Sequence, residues 1–341
     1  LQNVDYTYNV RGWLKQINNP SSLGSDLFAF GINYNTVSHS GTALFNGNIS
    51  ETEWKTANDN TLRWHKYGYD PLNRITSATA NNANYHLNSV SYDKNGNIIT
   101  LSRKGHTNSG ATTFGTMDNL AYSYDSGNKL LKVADSGSDA FGFVDDAVNT
   151  TDTLDDYTYD ANGNMLTDAN KGITSIAYNH LNLPTSITTA QGTISYIYDA
   201  AGTKLQKTAG SSVTQYAGNY IYQDGNLEFF SHPEGYVSPD GQGGYEYVYQ
   251  YKDHLGNIRL SYADNNGTPE MVEENNYYPF GLKHKGYNEV VSSYGNSVAQ
   301  KWSFLGQERQ DEFGINWLTF RYRNYMPEIG RFFGVDPVST E

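Results

Sequence analysis

The residues best placed for chemistry sit near the end of the chain, where Arg323 precedes Asp336-Pro337. A guanidinium and a carboxylate at that spacing can form an ion pair, and Asp-Pro also starts turns, so neither residue by itself implies catalysis. Other catalytic and binding chemistries find little support. The sequence has 0 Cys, which removes thiolate nucleophiles, thiolate metal sites and disulfides. His232, His254 and His284 lack the i, i+4 spacing of a helical ligand pair, so no metal is expected. Asp93-Lys-Asn-Gly96 and Asp160-Ala-Asn-Gly163 echo the start of a calcium loop but lack its later acids and closing Glu. Gly241-Gln-Gly-Gly244 has no strand-turn-helix context and reads as a loop, not a phosphate cradle. No cofactor is implied.

The elements that would position these residues are written in a repeat. Tyr157-Thr-Tyr159-Asp160-Ala-Asn-Gly163-Asn-Met165 recurs as Tyr196-Ile-Tyr198-Asp199-Ala-Ala-Gly202-Thr-Lys-Leu205. Looser copies begin at Tyr6, Tyr67, Tyr92, Tyr122, Tyr178 and Tyr249. Alternation puts both tyrosines of Tyr-x-Tyr on one face of a strand. The Asp side chain then accepts backbone N–H groups one or two residues ahead, and Gly closes the reversal with a positive φ. Asn73 and Asn182 stand at that closing position in two copies, as the next most tolerant residue type. Each unit is therefore a β-hairpin. Intervals between turn acids vary, from 160 to 179 and 179 to 199 up to 125 to 160, and the longer ones hold loops such as Asp135-Ser-Gly-Ser-Asp139. A propeller would repeat more evenly, at about 40 residues.

A lone hairpin cannot bury both faces, so the units must stack edge to edge. The expected fold is all-β with very little helix: stacked hairpins forming a spiralling, curved sheet wall, a shell or cocoon. Composition fits a wall, because Tyr (29) outnumbers Phe (14) and Trp (5) while only 37% of residues are hydrophobic. Tyrosine buries a ring and keeps a hydroxyl for a partner. The same rows of Tyr, Trp, Asp and Asn could instead stack on sugars, which leaves a glycan-binding surface as a competing use. A net charge of −13 excludes a general nucleic-acid binder. No apolar run reaches the roughly 20 residues that span a bilayer, so no transmembrane segment is expected. The start, Leu1-Gln2-Asn3-Val4, has neither an initiator Met nor a signal pattern and reads as an internal cut.

From Thr214 the texture changes. Tyr251-Lys-Asp253-His254-Leu-Gly256-Asn257, Tyr277-Tyr278-Pro279-Phe280-Gly281 and Arg323-Asn-Tyr325-Met-Pro327-Glu-Ile-Gly330-Arg331-Phe332 follow in order. With the Tyr-Asp hairpins before them, these blocks resemble the RHS/YD-repeat proteins, with a hairpin wall over 1–213 and the RHS-repeat-associated core over 214–341. Phe230-Ser-His-Pro-Glu-Gly and Asn275-Asn-Tyr-Tyr-Pro-Phe-Gly are most similar to secreted or cell-surface members from the Bacteroidetes. The resemblance implies a structural shell around a variable C-terminal polypeptide, often a toxin, with a secretion, chaperone or immunity protein as a possible partner. It also implies an aspartic autoprotease at the end of the core, with Arg323 matching the family's arginine and Asp336 its first acid. The matching second Asp-Pro is expected beyond Glu341. Aspartic chemistry needs one ionised and one protonated carboxyl, so the chain as it stands is expected not to cleave.

Overall fold

The computed structural model describes residues 2–138, 140–145, 154–287, 292 and 294–336. Asp139 and Pro337, both part of motifs noted above, lie outside them. The regular structure of the described chain is almost entirely strand, joined by turns and loops, with three short 3-10 turns at Ala83–Tyr85, Ala299–Lys301 and Glu312–Gly314. Among the described residues strands follow one another in space as in sequence, in sheets of ten, thirteen and four strands, and no first strand returns to pair with a last. The all-β expectation holds, and the sheets are not closed into barrels.

The hairpins show why the motif has its spacing. In Asp160 one carboxylate oxygen accepts from the amides of Asn162 (2.9 Å) and Asn164 (2.8 Å), two and four residues ahead. Asp70, Asp93, Asn179, Asp199 and Asp253 repeat that two-and-four pattern. The reach is longer than the one or two residues expected, because the turn carries one more residue than a tight hairpin. Asn73 (φ 63°), Gly163 (φ 82°) and Asn182 (φ 56°) all close it in the left-handed region, as the Gly-to-Asn exchange predicts.

The second tyrosine of each motif joins one hairpin to the one before it. Its hydroxyl donates to the carbonyl that opens the preceding hairpin's return strand: Tyr92 to Ile75 (2.6 Å), Tyr159 to Leu130 (2.7 Å), Tyr178 to Met165 (2.6 Å) and Tyr198 to Pro184 (2.9 Å). At each of these tyrosines the strand register shifts by a β-bulge. A bulge turns a side chain off the simple alternation, which aims the phenol along the sheet at its neighbour.

Two compact units result. One comprises Leu1–Asn119 with Val248–Tyr294, the other Leu120–Tyr247 with Gly295–Glu341. Each combines chain from before and after residue 214. In the first, Ile17, Phe28, Phe30, Ile32 and Trp54 of the early hairpins bury against Tyr251, Leu260 and Tyr262. In the second, Trp317 is fully buried beside Phe333, with ring centroids 4.2 Å apart. No helix among the described residues is long and apolar enough to cross a membrane.

Candidate functional site

Arg323 closes the turn between strands Trp317–Thr319 and Asn324–Met326, where its carbonyl accepts from the amide of Phe320 at 2.9 Å. Asp336 follows strand Arg331–Phe332, which pairs with Asn324–Met326. This short meander brings the two side chains together, with Arg323 Nη2 lying 2.8 Å from Asp336 Oδ2. The guanidinium also covers the Phe332 ring at 4.2 Å. The aspartate side chain is 42% exposed, so the pair is open to solvent. The arrangement can orient a carboxylate, but acid–base cleavage needs a second carboxyl.

Arg323 also lines a cleft of about 420 Å³, with Lys204, Tyr216, Trp302, Phe320 and Arg321. Part of its wall is a charged cluster that no sequence motif marks. Glu308 is 4% exposed, and its carboxylate meets Lys204 Nζ at 2.5 Å and Lys207 Nζ at 2.7 Å. The Tyr216 hydroxyl donates to the same carboxylate at 2.8 and 2.9 Å. Lys207 continues to Glu312 at 2.7 Å. Burial opposes ionisation of Glu308, but the two ammonium groups outweigh it and hold the carboxyl down to about 2. A further cavity of about 240 Å³, lined by Lys207, Ser212, Gln223, Lys301, Glu308 and Glu312, flanks the cluster.

Lys204 and Lys207 are three apart, so strict alternation would put them on opposite faces of a strand. The register shift at Tyr198, which pairs with Lys204 while Ile197 pairs with Gln206, brings both to Glu308. Glu308 itself lies in strand Glu308–Gln310, just after the turn Phe304-Leu-Gly306-Gln307, far from both lysines in sequence.

A second buried group surrounds the Pro327-Glu328-Ile-Gly330 turn. Lys171 Nζ meets Glu328 Oε1 at 2.5 Å, and the Lys171 amide donates to Asp168 at 3.2 Å. Burial raises the Asp168 carboxyl to about 7, with Lys171 pulling the other way. Its folded value lies above the unfolded one, so its contribution to stability is present in acid and is lost as pH rises from about 4 towards 7.

The three histidines do not form a set. His254 stacks on Phe30 at 5.7 Å, His284 is buried among tyrosines, and His232 lies in the other unit, where Nδ1 accepts from the Glu234 amide. Among the described residues no three His, Cys, Asp or Glu side chains are grouped to hold a metal ion. An aromatic row is present as well. Tyr220 packs on Phe230 at 5.0 Å and Phe230 on Tyr245 at 6.3 Å, with Tyr245 and Tyr247 57% and 54% exposed.

No family model matches the chain. Among curated proteins it is 25% identical over 237 residues to the tRNA3(Ser)-specific nuclease WapA of Bacillus spizizenii, covering 64% of this chain and 10% of that protein. The tRNA nuclease WapA of Bacillus subtilis is likewise 25% identical, over 235 residues and 10% of its length. The chain thus spans about a tenth of these relatives. Among solved structures, a TcdB2–TccC3–TEV crystal structure superposes with a TM-score of 0.62 at 15% identity, over 98% of this chain and 18% of that one. The Photorhabdus luminescens Tc holotoxin pore gives 0.61 at 15% identity, over 99% and 18%. In fold the chain is a stretch of open antiparallel β-sheet, similar in structure to the TcdB2–TccC3 assemblies and distantly similar in sequence to WapA.

Proposed function

We propose that this chain is a wall segment of a secreted or cell-surface RHS/YD-repeat protein of Bacteroidetes type, whose shell encloses and delivers a C-terminal polypeptide. The observation that carries the reading is the superposition of 98% of the chain on less than a fifth of a TcdB2–TccC3 chain, as expected of one stretch of a larger repetitive wall. The nuclease named for WapA is not assigned to this stretch: the shared part is a tenth of that protein, and a net charge of −13 opposes contact with RNA phosphates. A secretion, chaperone or immunity protein would be a partner of the longer chain.

In this reading Arg323 holds Asp336 as one member of a self-cleaving pair, and a downstream Asp-Pro supplies the other. One carboxylate takes a proton from water, which attacks the scissile carbonyl while the protonated partner gives its proton to the carbonyl oxygen; the intermediate then collapses, the C–N bond breaks, and the leaving amine takes the proton that the first carboxyl had gained while the gem-diol returns one to its partner. The longer natural chain is expected to release its C-terminal polypeptide by a single cut that Asp336→Asn reduces at least about 100-fold, within the range of a lost general acid or base. Protease digestion of that chain should spare the released polypeptide. A cut unaffected by Asp336→Asn overturns the cleavage role, and rapid digestion of the released polypeptide overturns the shell.

The aromatic row at Tyr220, Phe230, Tyr245 and Tyr247 favours a second reading, a glycan-stacking surface. On that reading, binding on a glycan array is lost in Tyr245→Ser/Tyr247→Ser; absence of binding by the unaltered chain removes it.

A further inference from the structure

The segment Tyr277–Tyr287 packs against the early hairpins through buried imidazoles. It reverses at Phe280 (φ 73°) and Gly281 (φ 92°), and the His284 amide donates to the Asn276 carbonyl at 2.7 Å. His284 is 1% exposed and faces His65 of strand Arg63–Tyr69, itself 2% exposed, with ring centroids 5.6 Å apart. Tyr85 stacks on His284 at 4.6 Å, Tyr278 meets it edge-on at 4.1 Å, and the Tyr287 hydroxyl lies 2.6 Å from its Nδ1. Two bonds run from the segment to the hairpins, Tyr278 hydroxyl to Lys104 carbonyl and Tyr85 hydroxyl to Lys285 carbonyl, both 2.7 Å.

The surrounding charges are mostly positive. Arg63 covers the Tyr287 ring at 3.9 Å, Arg103 lies 5.4 Å from the Tyr278 ring, and Arg259 lies 4.9 Å from Trp54, which packs on His65. His86 adds a further imidazole, its Nε2 at 3.0 Å from the Ala80 carbonyl. The carboxylates on the packed strands are engaged elsewhere. Asp59 holds Arg63, Glu53 meets His39, Glu51 accepts from Asn33 and the amides of Ser38, His39 and Gly41, Asp118 holds Arg103, Asp253 holds Asn257 and Arg259, Glu273 meets Asn275, and Glu274 meets Thr56, Asn58 and Asn276. A proton added to either facing imidazole would therefore enter a dry site among guanidinium groups.

We propose that Tyr277–Tyr287 is an acid-released clasp, undocked from the hairpins of its own unit when His65 and His284 take up protons. Burial, then Arg259 and His86, lower His65 to about 3; burial, then His65 and the three arginines, hold His284 well below its usual value. Both folded values are depressed, so the docked form is fully favoured above the unperturbed value of about 6.5 and loses ground as pH falls below it. With both imidazoles free to titrate once undocked, opening becomes about 30-fold more favourable per histidine between pH 7.5 and 5, or roughly 1000-fold for the pair.

Hydrogen exchange followed by mass spectrometry, corrected at each pH for intrinsic exchange, tests this on the whole chain. Protection of 277–287 and 83–87 should fall by about 1000-fold towards pH 5, while strands Ile173–Tyr178 and Gly192–Tyr198 of the other unit serve as reference. His65→Phe and His284→Gln should each remove about 30-fold of that dependence. Unchanged protection across the range overturns the proposal. So does NMR titration showing either imidazole charged near pH 6.5 while the segment stays protected; this measurement on the unaltered chain decides the matter even if a variant fails to fold.

Discussion

Replacing Glu308 by Gln destabilises the unit formed by Leu120–Tyr247 and Gly295–Glu341 by about 3–5 kcal/mol at pH 7, the penalty for stranding buried charge. The carboxylate is 4% exposed and is shared by Lys204, Lys207 and Tyr216. Glutamine keeps the volume and an acceptor but removes the charge; Lys207 retains Glu312, whereas among the described residues Lys204 pairs with Glu308 alone. A lysine can shed its proton, and burial already lowers Lys204. The defect should therefore shrink at alkaline pH. On the acid side the unaltered protein loses the Glu308 contribution as pH falls from about 4.5 towards 2, because the folded value is depressed, and Glu308→Gln lacks that limb. Urea unfolding read by hydrogen exchange in this unit measures both effects. A loss under about 1 kcal/mol, typical of an exposed pair, would show that water reaches the cluster.

The second large effect is in the other unit. Arg103 Nε meets Asp118 Oδ2 at 2.7 Å, with both side chains at 0% exposure. Asp118→Ala should cost at least about 3–5 kcal/mol. Unlike Lys204, Arg103 cannot neutralise itself, since a guanidinium stays protonated throughout the accessible range. This defect should persist at alkaline pH where that of Glu308→Gln fades. Replacing both partners by apolar residues, as in Arg103→Met/Asp118→Leu, should recover most of the loss, because the desolvation of both ions is removed together. The same exchange measurement on residues 98–119 tests it. A double variant as unstable as Asp118→Ala would mean that other bonds of Arg103 or Asp118, not their mutual pairing, hold this part of the fold.

Local rules explain how far the sequence could be read. A hairpin turn is decided within five residues, so Tyr159-Asp160-Ala-Asn-Gly163 announces its own geometry, and Asn182 can stand for glycine because both accept positive φ. The Arg323–Asp336 pair was legible for a similar reason: a short meander separates the two residues, and the family resemblance pointed to both. The Lys204–Lys207–Glu308 cluster was not legible. Its members lie 101 and 104 residues from Glu308 in sequence, and a bulge overrides the alternation from which their faces would be read. The buried imidazoles failed for another reason, since His65 and His284 are isolated histidines until the hairpins fold against the later segment.

By itself, then, the sequence determined the repeating hairpin, its Asp-to-Gly closure and the all-β class, because each follows from the φ preferences and hydrogen-bonding reach of neighbouring residues. Tertiary structure alone decided how early hairpins and late segments combine into each unit and where charge is buried. Those outcomes depend on which strands pack together after a bulge has shifted the register, and no local rule contains that information.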